Sequence, residues 1–139
     1  MKQSEIREYA DKVKEIIETA ARKTLEQNDY FVPKPWGCEI IIDRNDLYVI
    51  KRLYIKKGEQ LSLQYHENKR ETIIHSQGYG RIFKNGKYHA LTSEDDVVRV
   101  NPYEIHRIEA HPQHDLEVLE VSTPHLDDVV RVQDDYGRD

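Results

Sequence analysis

The sequence predicts an all-β barrel or sandwich carrying one N-terminal amphipathic helix. Three observations predict it. After "VPKPWG", apolar and polar residues alternate with a period of two in nine short runs. Turn signals such as "DRND", "KKGE", "SQGYG" and "HPQHD" separate those runs. A period near 3.6 is confined to the first thirty residues.

The helix comes first. Ile6, Tyr9 or Ala10, Val13, Ile16 or Ile17, Ala20 and Leu25 recur at steps of three and four, with Lys, Glu and Arg between them. This predicts a helix over residues 3–27, ended by "QNDY", whose apolar stripe must lie on something. Residues 1–30 are read as a helical arm and residues 31–139 as the β domain. The strand runs are "EIIID", "LYVIKRLYI", "QLSLQYH", "ETIIH", "GRIF", "KYHAL", "DVVRV", "HRIEA" and "LEVLEV". Asn85-Gly86 between "GRIF" and "KYHAL" can take the two positive φ values of a type I′ turn, which predicts a tight hairpin. With no helix between the strands, the sheet is antiparallel and closes into a sandwich or barrel. The acidic "PHLDDVVRVQDDYGRD" is assigned no element.

Composition excludes several function classes. The 139 residues are 34% charged with a net charge of -5, which fits a single soluble domain and lacks the basic face of a nucleic-acid binder. The apolar runs are far too short to span a bilayer. The charged start "MKQSEIREYADKVK" shows no secretory signal, and the single Cys38 cannot form an internal disulfide, so a cytoplasmic protein is expected.

The candidate site begins at "EQLSLQYHE". On a strand, Ser62, Gln64 and His66 share one face, and Leu61, Leu63 and Tyr65 share the other. Gln64 and His66 then lie roughly 6.6–6.8 Å apart along one face. The turn "ENKR" brings Glu71 back beside His66, and His106 in "NPYEIHRIEA" supplies a fourth donor. One amide, two imidazoles and one carboxylate suit a divalent transition metal (zinc, iron, manganese, cobalt or nickel) without selecting among them, and zinc is the expected ion.

This spacing resembles the first motif of the cupin superfamily. Gly58, five residues, Gln64-Tyr65-His66, four residues, Glu71, six residues and Gly78 match it at every interval, with Gln in place of the first His. Together with "KPWG", "VIKRLYIKKGEQLSLQYH" and "LDDVVRVQDDYGR", the chain resembles the cupin domain of type II mannose-6-phosphate isomerases over roughly residues 33 to 138. The resemblance implies a double-stranded β-helix, or jelly-roll, barrel. It also implies a metal held by Gln64, His66, Glu71 and His106, a phosphorylated sugar as substrate and aldose–ketose isomerisation through an enediolate. Such domains often follow a mannose-1-phosphate guanylyltransferase domain.

There are departures. The family's further histidines fall on Glu67 and Asn68, and its Arg on Lys69. Its His-Trp is Thr72-Ile73, so an aromatic wall of the sugar pocket is expected to be missing. Of the second motif Pro102 and His106 remain, with Tyr103 where Gly is expected.

Other residues receive provisional roles. Glu67 and Lys51 are candidates for the base that moves a proton between C1 and C2. Arg52, Lys69, Arg107 and Arg138 are candidates for binding the phosphate. His75 shares a face with Glu71 and either orients it, lines the pocket or sits satisfied in the core. His89, His111, His114 and His125 are read as solvated, and Trp36 as a plug of the barrel. Two other readings stay open: a metal-independent keto-sugar epimerase, and a non-catalytic sugar-binding cupin of a polysaccharide pathway. Finally, Leu61, Leu63, Tyr65, Thr72 and Ile74 are expected to form one outer apolar patch. A homodimer or the N-terminal helix would cover it.

Overall fold

The computed structural model describes residues 2–5, 7–8, 11–16 and 31–138. Residues 3–5, 7–8 and 11–16 are helical, and the rest of the expected 3–27 helix lies outside the described residues. Val13 and Ile16 are half-buried, and Val13 lines a small cavity with Tyr54, Ile55 and Leu116, so part of the apolar stripe meets the sheet. No helix among the described residues is long and apolar enough to cross a membrane.

The described strands are β1 (Phe31–Lys34), β2 (Gly37–Arg44), β3 (Val49–Ile55), β4 (Leu63–Tyr65), β5 (Glu71–Gly78), β6 (Gly80–Lys84), β7 (Lys87–Leu91), β8 (Val97–Val100), β9 (His106–Ala110), β10 (Leu116–Ser122) and β11 (Val130–Gln133). They form a six-stranded sheet in the order β1-β2-β3-β10-β5-β8 and a five-stranded sheet in the order β11-β4-β9-β6-β7. Every strand pairing among the described residues is antiparallel, as the alternating runs require. Asn85 and Gly86 have φ of 48° and 84°, the conformation of the expected hairpin turn between β6 and β7.

The core lies between the sheets. Trp36, Leu53, Ile55, Ile73, Ile82, Leu91, Ile108 and Leu116 are each at most 2% exposed. Cys38 is fully buried, and burial first, with Glu39 beside it, pushes its thiol up to about 12. The folded protein is therefore expected to leave Cys38 unlabelled by a thiol reagent at pH 8 over minutes, with full labelling in denaturant. Rapid native labelling would contradict this packing.

Glycine is required where β5 gives way to β6. Gly78 has φ +79°, and a Cβ there would lie 1.9 Å from the Asp115 carbonyl oxygen. Tyr103 occupies the position where the second motif has glycine, and its φ is 65°. The position keeps the left-handed conformation, at a cost of about 1 kcal/mol for a bulky residue. Its N–H donates to the His66 carbonyl at 2.7 Å, and its ring stacks on Tyr65 at 5.9 Å, which offsets that cost.

The outer-patch expectation needs correction on two points. Leu61 is buried in the core, because the chain is not yet in a regular strand at residues 61–62 and strict alternation starts only at Leu63. Thr72 and Ile74 lie on β5 in the six-stranded sheet, whereas Leu63 and Tyr65 lie on β4 in the other. The turn "ENKR" crosses between sheets instead of closing a hairpin, so these residues cannot form one patch.

Candidate metal centre

Three buried side chains converge between the sheets. His66 follows β4 and His106 opens β9, and Gln64 pairs directly with His106 across the five-stranded sheet. Glu71 opens β5 and reaches in from the facing sheet. His66 and His106 are 0% exposed and Glu71 is 4% exposed. Glu71 Oε1 lies 3.3 Å from His66 Nε2 and 2.8 Å from His106 Nε2. One ligand atom from each lies within 4.8 Å of the others.

The hydrogen bonds decide how the imidazoles are protonated. His66 Nδ1 meets the Asp128 carbonyl at 2.6 Å, and His106 Nδ1 meets the Glu104 carbonyl at 2.9 Å. A carbonyl can only accept, so each Nδ1 carries its proton and donates. In the neutral rings, each Nε2 then presents a lone pair toward Glu71. His106 Nε2 is buried without a hydrogen-bond partner. A cation at the focus takes up all of these lone pairs at once, and a second-position N–H held by a carbonyl is the usual support of a metal-binding histidine. Burial opposes the Glu71 charge; where the Nε2 atoms carry protons instead, hydrogen bonds from His106 and His66, with the Lys69 ammonium, outweigh burial and hold the carboxyl well below its ordinary range. The residues therefore fit a divalent metal, and the N/O donor set suits zinc, iron, manganese, cobalt or nickel. Gln64 lines the adjoining cavity, and its side-chain oxygen accepts from Ser62 Oγ at 2.9 Å.

That cavity has a volume of about 490 Å³ and opens beside the centre through Gln64, Lys69 and Glu120. Six cationic side chains line it (Lys34, Arg44, Lys51, Lys69, Arg131 and Arg138), against three acids (Glu39, Glu120 and Asp127). A buried chain of charges runs along its wall. Lys51 Nζ lies 3.1 Å from Glu39 and 4.0 Å from Glu120, and Lys69 Nζ lies 3.8 Å from Glu120 and 3.1 Å from Glu71. Burial opposes the Lys69 charge, but Glu120 and Glu71 outweigh it and raise its pKa. Burial, with Glu71 adding to it against Lys69 and Lys51, pushes the Glu120 carboxyl up to about 8.

Of the residues proposed from sequence, Gln64, Lys51, Lys69 and Arg138 reach the cavity wall. Arg138 is held there by Asp134, with Nε and Nη2 both at 2.9 Å. Three candidates are placed elsewhere. Glu67 is exposed in the turn after His66, where its N–H donates to Asp128. Arg52 alternates with Lys51, so it faces outward and lies 3.6 Å from Glu117. Arg107 alternates with His106 and donates to the Gln133 carbonyl at the edge strand. His75 Nε2 donates to the Gly78 carbonyl and does not orient Glu71. Ile73 is 0% exposed in the core, so the expected loss of an aromatic pocket wall does not arise at that position. Trp36 is both core and cavity wall.

Glu120, Glu39, Lys34, Arg44 and Arg131 were not singled out from the sequence. For Glu120 the signal was present: alternation along "LEVLEV" places its carboxylate on the same face as the core residues Leu116 and Val118.

The model of the family described as mannose-6-phosphate isomerase C-terminal matches residues 20–134. The chain belongs to this family. It is 36% identical over 110 residues to mannose-1-phosphate guanylyltransferase ManC of Salmonella typhimurium, covering 77% of this chain and 23% of that protein. It is 30% identical over 115 residues to the alginate biosynthesis protein AlgA of Pseudomonas aeruginosa, covering 81% of this chain and 24% of that protein. The chain thus spans about a quarter of the length of these relatives.

Among solved structures, a cupin-2 domain from Rhodospirillum rubrum superposes with a TM-score of 0.62 at 14% identity, covering 68% of this chain and 64% of that one. The capsular polysaccharide assembling protein CapF of Staphylococcus aureus does so at 0.66 and 16%, covering 74% and 34%. The fold of this mannose-6-phosphate isomerase C-terminal domain is a cupin. The likeness to the structures shows the fold, and the relatives place the family among proteins of sugar-nucleotide and polysaccharide synthesis.

Proposed function

We propose that this domain is a metal-dependent sugar-phosphate isomerase of the mannose-6-phosphate isomerase type. The observation that carries the reading is a buried His-Glu-His cluster beside a cationic cavity of about 490 Å³, with Lys69 of the cavity wall 3.1 Å from Glu71. That is ample room for a hexose phosphate, and the cations suit its dianion. His66, Glu71 and His106 hold the metal, with Gln64 as the fourth donor. When bound, the ion supplies Lewis-acid stabilisation of the negative charge of an enediolate. Lys51, Lys69 and Arg138 bind and orient the substrate, with Lys34, Arg44 and Arg131 on the same wall. Glu120, buried between Lys51 and Lys69, takes the role of base in place of the exposed Glu67. It accepts the proton from C2 of the aldose and returns it to C1, while the hydroxyl proton on O2 passes to O1.

Turnover on a panel of hexose phosphates, with and without EDTA, tests the reading. Isomerisation of mannose 6-phosphate that EDTA abolishes and zinc restores is the expected result. Turnover that survives EDTA would favour the metal-independent epimerase, and binding without turnover the sugar-binding cupin. Glu120→Gln is expected to lower kcat by about 100-fold or more.

A homodimer is the proposed assembly. Gln64 and its register partner Arg131 both line the cavity, so Tyr65 and its partner Val130 point outward. Tyr103 stacks there at 66% exposure, and Val132 on the neighbouring strand is 54% exposed. Light scattering at micromolar concentration should give twice the chain mass of 16.5 kDa. Tyr103→Glu should shift that to the single mass, and a wild-type monomer would refute the assembly.

A further inference from the structure

We propose that residues 123–129 link occupancy of the cavity to affinity for the metal, with Asp128 as the positioning residue that carries the link. The proposal rests on the functional reading above.

Asp128 holds the metal loop with both ends of its residue. Its carbonyl oxygen accepts the Nδ1–H of His66 at 2.6 Å. Its carboxylate accepts the backbone N–H groups of Glu67 at 3.0 Å, Asn68 at 2.7 Å and Lys69 at 2.8 Å. Those three residues lie between His66 and Glu71, so one side chain sets how two of the three converging donors stand relative to each other. The clamp continues along the chain. Thr123 N–H donates to the Arg70 carbonyl at 3.0 Å, and Arg70 N–H donates to Thr123 Oγ1 at 3.1 Å. Residues 66–70 and 123–128 are thus zipped together as a unit.

The same segment forms a wall of the cavity. Leu126, Asp127 and Val129 line it, on either side of Asp128 in the sequence. The segment lies between β10 and β11 and has no strand ladder of its own to hold it. Its position depends on the clamp on one side and on whatever fills the cavity on the other. A ligand that packs against Leu126, Asp127 and Val129 narrows the positions open to the Asp128 carboxylate, and so to the 67–69 backbone that sets His66 against Glu71. A metal that fixes His66 narrows the positions of the wall in turn. Such a link must be reciprocal: the factor by which sugar phosphate tightens metal binding equals the factor by which metal tightens sugar phosphate.

The test measures zinc affinity of the full chain by competition with a chromophoric chelator, with and without saturating mannose 6-phosphate. Zinc is expected to bind about 5-fold or more tightly in its presence, and mannose 6-phosphate to bind the zinc-loaded protein more tightly by the same factor. Asp128→Ala should weaken zinc about 10- to 100-fold. It should also lower the linking factor several-fold, while mannose 6-phosphate still binds. Direct contact between sugar oxygens and the ion also links the two affinities and is untouched by Asp128→Ala, so a linking factor unchanged from wild type overturns the proposal. Wild-type protein that binds both without any linkage overturns the proposal and leaves the functional reading standing. Wild-type protein that binds no mannose 6-phosphate in either metal state overturns both. Should Asp128→Ala fail to fold, Thr123→Val removes one acceptor of the same clamp. A smaller drop in the linking factor is then expected, and an unchanged factor overturns the proposal.

Discussion

Protein prepared without chelator is expected to carry close to one divalent transition-metal ion per chain, and His66→Ala close to none. Both imidazoles spend their Nδ1–H on backbone carbonyls, which leaves two Nε2 lone pairs and a carboxylate facing one point. The focus is buried, where unmatched polar groups are costly. His66→Ala removes one donor and also leaves the Asp128 carbonyl without its partner, so the loss reaches beyond one ligand bond. His106→Ala should have a similar effect, since its ring is equally buried and equally held. His89→Ala is the control: it lies on the β7 edge strand, away from the cluster, and should leave the stoichiometry unchanged. Inductively coupled plasma mass spectrometry gives the ratio directly. A stoichiometry near zero for the wild-type chain after zinc soaking would sink the metal reading and favour an epimerase or a binding module.

Much of this site was legible because strand alternation is a strict rule. Placing Gln64 and His66 on one face needed only the period of two, and the Gly58-to-Gly78 spacing fixed which carboxylate to look for. The route by which Glu71 arrives was not legible. A four-residue turn reads the same whether it closes a hairpin or passes to the facing sheet, and here it passes across. The phosphate-binding candidates divided on the same ground. Lys51 and Arg52 are adjacent in sequence, so only one of them can face the cavity, and composition alone does not say which. β1 was hidden by Pro33 and Pro35, which read as breakers. On an edge strand a missing N–H costs nothing, and β1 is the edge of its sheet. β11 was hidden by the acidic residues around it, which belong to its flanking turns. The Asp128 clamp and the charge chain through Glu120 depend on residues more than fifty positions apart in the sequence. No local pattern reports such pairings.

Lys69→Met is expected to be the most destabilising single change on the cavity wall. Lys69 is 6% exposed, and its ammonium stands between Glu71 at 3.1 Å and Glu120 at 3.8 Å. Methionine keeps most of the volume and removes the charge. Two buried carboxyls then face each other, with Lys51 the remaining cation beside Glu120 at 4.0 Å. Breaking a buried pair by removing one partner typically costs about 3–5 kcal/mol. In a domain of this size that lowers Tm by roughly 10 °C. The pH dependence has a definite sign. Glu120 is already pushed up to about 8 from an ordinary 4.5, so between those values the folded state binds more protons than the unfolded state. Stability contributed by this group therefore falls as pH rises through that window. Without Lys69 the carboxyl is harder still to ionise, so the fall should steepen, and the variant should recover stability relative to wild type toward pH 5. Lys69→Met combined with Glu120→Leu removes one of the two carboxyls that Lys69 faces and should regain part of the loss, with Glu71 still buried without Lys69. Scanning calorimetry of metal-free protein at pH 5 and pH 8 reads all three forms. A loss below about 1 kcal/mol at pH 8, or a double variant no more stable than Lys69→Met alone, would show that the charge chain does not hold this wall in the way the distances imply.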